Sequence, residues 1–321
     1  MPNAIYNSFK FVFLLCVAIL PQEYARAAEP APVEMVDSAG RHVTVKDTSR
    51  VVAIGGSITE ILYALGLQDR IVAVDTTSVF PPQALKDKPD VGYMRALSAE
   101  GVLALAPSLV LAMEGSGPPT TINVLQQASV PFISVPEGHD AAGVVAKIRF
   151  VAHAMGADAK GEVLAKAVAE DFEALAAMRA RIKEPRGAVF VMSMGGGSPM
   201  VAGQGTGADA AFKLAGVTNV MSAITGYKPA VGEAVLAVEP YAIVKMGRSG
   251  GADDAILQLP AFATTPAARD KRLFPVDGAY LLAFGPRMPQ AARDLAAAIY
   301  PELDLPKLPE RPWTQATGTA P

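Results

Sequence analysis

One segment of this chain occurs twice. Ser98–Leu111 (SAEGVLALAPSLVL) lies over Val231–Val244 (VGEAVLAVEPYAIV) at a constant offset of 133, with Glu, Val, Leu, Ala and Pro coinciding. Most other positions exchange one apolar residue for another. Each copy reads as a short helix stopped before a proline, then a buried strand. A second pair occurs in the same order: Val51–Ser57 (VVAIGGS) and Val189–Ser198 (VFVMSMGGGS) each read as a strand running into a glycine-rich turn. Two correspondences in one order predict two lobes of the same topology, since the period is far too long for a solenoid.

The pattern around the repeats is strand, turn, helix, strand. Val51-Val52-Ala53-Ile54 stops at Gly55-Gly56-Ser57, Thr59–Gly66 follows at helical spacing, and Ile71-Val72-Ala73-Val74 is the next strand. That rhythm belongs to α/β sheets. A hairpin around Gly40 precedes it, from Val33–Asp37 to His42–Val45. Between the copies, residues 159–183 carry an apolar stripe at Val163, Leu164, Ala167, Val168, Phe172, Leu175 and Met178. This predicts a rod roughly 35 Å long. The expected fold is therefore α/β: two Rossmann-like lobes, 33–158 and 184–304, joined by one long rigid helix with a ligand cleft between them. Residues 305–321 are proline-rich and read as an extended or disordered end.

The start of the chain reads as a leader. Phe11–Leu20 is an apolar run of ten after Lys10, too short for a bilayer, which needs about 20. Ala25-Arg26-Ala27 places small residues where a signal peptidase reads, so residues 1–27 form a secretory signal peptide. Nothing later is long and apolar enough to span a membrane, so an exported, soluble product is expected. The single cysteine, Cys16, falls in the leader. That excludes cysteine-ligated zinc, iron–sulfur clusters and an internal disulfide. With 28 Lys+Arg against 31 Asp+Glu, the charge balance speaks against nucleic-acid binding.

A captured ligand and an exported hydrolase are both compatible with this outline, and the residues must separate them. No G-x-S-x-G elbow is present, and all three histidines, His42, His139 and His153, lie in the first half. A catalytic triad at the cleft would need His139. The glycine-rich turns lack the Lys-Ser/Thr of a phosphate loop and read as tight turns. The loop Asp90–Ser98 (DVGYMRALS) is more informative: it carries Tyr93 two residues from Arg95. A neighbouring guanidinium favours a phenolate, and tyrosine oxygen is a protein ligand of haem iron. A tyrosine merely packed in a loop has the same sequence appearance.

With these residues the chain resembles the periplasmic haem-binding proteins of bacterial ABC haem importers. The likeness rests on Gly55–Ile61 (GGSITEI), Val91–Gly101 (VGYMRALSAEG), Gly117-Pro118-Pro119, Pro199–Gly203 (PMVAG) and Asp277–Arg287 (DGAYLLAFGPR). Cobalamin and ferric-siderophore binders share it more loosely and are the alternative. The resemblance implies a binding protein, not an enzyme, that takes part in iron acquisition. It would capture haem as cargo and deliver it to an inner-membrane permease dimer with its ATPase, acting as a soluble periplasmic monomer. It implies that Tyr93 is the axial ligand of the iron, assisted by Arg95. Lys228, Arg248 and Arg287 become candidate propionate partners, and Tyr227, Tyr280 and Phe284 candidate packing surfaces. Some relatives add a histidine from the second lobe, which has none here. Met194, Met288 and His139 are the possible second ligands, and five-coordinate iron on Tyr93 alone is expected. In related proteins a glutamate on each lobe docks on permease arginines, which maps to the repeat pair Glu100 and Glu233.

Overall fold

A computed structural model describes residues 32–195, 198–247 and 253–315. The predicted leader lies outside the described residues. Strands β1 (Val33–Val36) and β2 (His42–Val45) form the expected antiparallel hairpin, with Val33 opposite Val45. The N-terminal lobe then builds on β3 (Val51–Ile54), α1 (Gly56–Ala64), β4 (Ile71–Val74), α2 (Gln83–Asp87), α3 (Ala99–Leu103), β5 (Leu109–Met113), α4 (Pro119–Gln127), β6 (Phe132–Val135) and α5 (Ala141–Ala154). Its four strands are parallel in the order β4-β3-β5-β6. Every residue of β3 and β5 is buried, as expected of strands covered on both faces.

Helix α6 (Asp158–Arg179) follows, and it packs against α5 of the first lobe and against two helices of the second. It starts one residue before the expected 159–183 span and ends four residues before its close. Its buried side is Gly161, Leu164, Ala165, Val168, Asp171, Phe172, Leu175 and Met178, whereas Val163 is 73% exposed on the solvent side. Gly161 is required by contact: a Cβ there would lie 2.2 Å from Cβ of Ala152 in α5.

The C-terminal lobe runs through β7 (Gly187–Gly195), β8 (Ser198–Ala202), α7 (Gly207–Ala215), β9 (Thr218–Asn219), β10 (Tyr227–Pro229), α8 (Gly232–Ala237), β11 (Ala242–Met246), α9 (Pro266–Arg269), β12 (Leu273–Val276), α10 (Gly278–Leu282) and α11 (Met288–Ile299). Within its sheet the order β9-β7-β11-β12 is parallel throughout. This repeats the β4-β3-β5-β6 arrangement. The repeat is kept to the residue: β5 and β11 coincide at the offset of 133, and both Ala106 and Glu239, at that same offset, take positive φ (47° and 42°) before their prolines. What the second lobe adds is the β7–β8 hairpin with β10 on its edge.

Side chains of β7 alternate between two cores. Ala188 and Phe190 join a cluster continuous with the first lobe, and Val189 and Val191 join a separate one with Val201, Ile243 and Phe262. After α11 the chain does not trail away. A 3-10 turn at Pro312–Thr314 packs on α1. Arg311 holds the buried Asp171 of α6 at 2.8 Å, and Gln290 of α11 bonds the same carboxylate at 3.2 Å. The proline-rich end is thus an extended strap packed on the body through Gln315. Among the described residues no helix is long and apolar enough to cross a membrane.

Candidate functional site

The Tyr93 loop is placed by backbone bonds at both ends. Val91 N–H donates to Val74 at the end of β4, and Thr76 N–H to Gly92. Gly117 N–H donates to Met94, and Leu97 N–H to Gly117. Gly92 turns the chain at φ 90°, a conformation a side chain would strain. Met94 and Leu97 are buried, so Tyr93 and Arg95 are carried outside, Tyr93 at 44% exposure. Arg95 Nη1 donates to the Tyr93 phenol oxygen at 2.6 Å. The pair offers an oxygen ligand with a fixed cation beside it, which suits a hard metal ion or an acidic group.

Tyr227 comes from the second lobe, on edge strand β10, where it pairs with Ala202. Its hydroxyl reaches the start of α7. Burial pushes this phenol up, while bonds from the Ala208 N–H and the Thr206 side chain, and the nearby Arg95 charge, pull it back. That charge belongs to the other lobe, so Arg95 stands near enough to Tyr227 to act on it. Lys228 is exposed, but successive strand residues point to opposite faces, so it does not share the Tyr227 side. Arg248 lies outside the described residues.

Three expected ligand-facing residues sit elsewhere. Arg287 is buried and makes a two-bond ion pair with Glu60 of α1, Nη2 to Oε1 at 2.5 Å and Nε to Oε2 at 3.1 Å. Phe284 is wholly buried, edge-on to His139 with centroids 4.7 Å apart. Tyr280 donates to Asp294 at 3.0 Å. Burial and that carboxylate push its phenol upward. Tyr280 and Arg287 line a cavity of about 450 Å³ with Lys307, Glu310 and Thr314 of the strap, not with Tyr93. Of the proposed second ligands, Met288 is buried in α11, Met194 is 45% exposed on β7, and His139 is held against Phe284.

The glycine turn at α1 is structural. Gly55 N–H donates to Asp75 and Gly56 N–H to Thr77, so the donors a phosphate would need are taken. Reading the sequence alone missed Glu60 and Lys147. Lys147 is fully buried, donating to Glu137 at 3.2 Å and to the Phe284 carbonyl at 3.4 Å. Burial pushes its pKa down, and the carboxylates of Glu137 and Glu60 oppose that. A signal existed: Lys147 interrupts the apolar stripe Val144, Ile148, Val151 of α5.

Glu100 and Glu233 are both exposed in the first turns of α3 and α8. Ser98 caps α3 by accepting from Gly101 N–H, whereas Val231 at the matching place cannot cap α8.

The profile of the periplasmic binding protein family matches residues 51–280. Among solved structures, the chain is similar to the periplasmic heme-binding protein RhuT from Roseiflexus sp. RS-1 in apo form. The two are 36% identical with a TM-score of 0.76, over 80% of this chain and 100% of that one. It is also similar to the periplasmic heme-binding protein BhuT in complex with two hemes, at 38% identity and TM-score 0.74 over 79% and 98%. An uncharacterized ABC transporter substrate-binding lipoprotein, YvrC of Bacillus subtilis (strain 168), is 28% identical over 278 residues, 85% of this chain and 87% of its own. With the two-lobe α/β fold and one profile across both lobes, the chain belongs to the periplasmic binding protein family.

Proposed function

We propose that this protein captures haem in the periplasm and hands it to an inner-membrane ABC permease. One observation carries the reading: the exposed Tyr93 phenol, bonded at 2.6 Å by the Arg95 guanidinium, whose charge also acts on Tyr227 of the second lobe. Ferric iron is a hard cation and phenolate a hard anionic oxygen, and tyrosine is an established protein ligand of haem iron. Haem arrives with four porphyrin nitrogens already bound to its metal. It asks the protein for one axial oxygen, cations for its propionates and flat apolar walls. Tyr93 serves the first need, Arg95 the second and Tyr227 the last. The protein works as an exported monomer, and its likeness to heme-binding relatives over nearly their whole length supports the same cargo.

Titrating the purified protein with ferric haem, and separately with cyanocobalamin, tests this. Saturable binding with a tyrosinate-to-iron charge-transfer band is expected. Tyr93→Ala should lower haem affinity by more than about a hundredfold, beyond what loss of an outer-shell partner does. Binding of cyanocobalamin in place of haem, or an unchanged spectrum in Tyr93→Ala, would overturn the assignment.

Delivery uses Glu100 and Glu233. Both are exposed, and both stand in the first turn of repeat-equivalent helices, which suits a dimeric permease. They present matched negative charges to basic residues of that partner.

A further inference from the structure

Two of the motifs quoted above, Thr59-Glu60-Ile61 and Phe284-Gly285-Pro286-Arg287, lie 227 residues apart and meet in one ion pair. Glu60 belongs to α1 of the first lobe and Arg287 to the start of α11 in the second. Both are more than nine-tenths buried. The guanidinium lies over the Phe80 ring of the first lobe at 3.5 Å and near the Tyr280 ring of its own at 4.9 Å. Gly285 permits the approach, since a Cβ there would stand 2.9 Å from Glu60 Oε2. Beside it, the Lys147 ammonium of the first lobe bonds the Phe284 carbonyl of the second.

A buried pair of this kind is weak glue. Desolvating both charges offsets most of their attraction, and apolar replacements of the same volume are often as stable. What a two-bond guanidinium–carboxylate pair does supply is geometry, because parallel N–H···O bonds admit one separation and one orientation. Every partner here comes from one lobe or the other, so that geometry is a relation between lobes.

We propose that Glu60 and Arg287 form a clasp that sets the spacing of the two lobes, and with it the distance from Tyr93 and Arg95 to Tyr227. Both are positioning residues that act on cargo only through cleft width. The consequence for haem retention rests on the haem reading; the spacing itself does not.

The experiment places spin labels at V124C and V231C, which are 51% and 63% exposed on opposite lobes, in a chain carrying Cys16→Ser. Pulsed electron resonance then reads the interlobe distance without ligand. The parent should give one narrow distribution. The isosteric pair E60L/R287M, and separately R287K, which keeps the charge but not the fork, should broaden it, with circular dichroism showing both folded. Haem dissociation should accelerate by about tenfold while the spectrum of bound ferric haem stays that of the parent, because Tyr93 is untouched. A distribution as narrow in both variants as in the parent overturns the clasp, whatever the cargo. Broadening with an unchanged dissociation rate overturns the positioning role. Broadening in a protein whose parent binds no haem sustains the clasp and sinks the haem reading instead.

Discussion

Met94 and Leu97 point inward where Tyr93 and Arg95 point outward, so two apolar anchors decide what the loop can show to a ligand. Asp37 does comparable work beside β6, the other edge strand of that lobe's sheet. It is 4% exposed and accepts from the backbone of Ala39, Arg41 and Ser134 and from the Arg41 guanidinium, fastening the β1–β2 hairpin to β6. Burial alone would raise its pKa; the bonds from Arg41 and Ser134 outweigh that and leave it below 3.8. A carboxyl depressed in the folded state stabilises above its unfolded value and loses that contribution as pH falls through the folded one. Asp37→Asn should therefore destabilise by about 1–3 kcal/mol at neutral pH. The difference should shrink as pH drops below 3.8, which urea melts at several pH values would read. The Tyr93–Arg95 pair was legible because its members are two residues apart in one loop. The Glu60–Arg287 pair was not, since nothing local ties two residues 227 apart; Arg287 looked ligand-facing for want of that partner, and Phe284 for want of the His139 ring it packs on.

The repeat is the clearest instance of structure read from pattern. Helix, proline and strand recur with β5 and β11 in register at the offset of 133, because a buried parallel strand is a bare apolar run and proline marks where the helix must stop. The inserted β7–β8 hairpin was hidden by the same logic: its strands look like any other apolar run, and antiparallel pairing leaves no mark in one strand alone. The strap was legible as an extended chain through Gln315, but prolines do not say what such a chain lies on; Arg311 on Asp171 decides that. The repeat also carries a matched strain. Ala106 and Glu239 sit at φ 47° and 42°, where a side chain crowds its own backbone. Ala106→Gly and Glu239→Gly should each stabilise by about 0.5–1 kcal/mol, seen as a higher denaturation midpoint.

At the scale of the whole molecule, two lobes of one topology present Glu100 and Glu233 at equivalent positions. Glu100→Ala with Glu233→Ala should leave haem affinity within about twofold of the parent and abolish uptake into vesicles carrying the permease and its ATPase. Normal uptake by the double variant would exclude docking through these residues. The lobes are not equals inside, however. The C-terminal sheet is a partition wall: the core behind Phe190 runs on into the N-terminal lobe, and the core behind Val189 is private. Damage should therefore travel differently from neighbouring positions on one strand. A void opened at Phe190 is felt by the entire body, α6 included, whereas one opened at Val189 stays within a single lobe, under the β8–β10 edge that carries Tyr227.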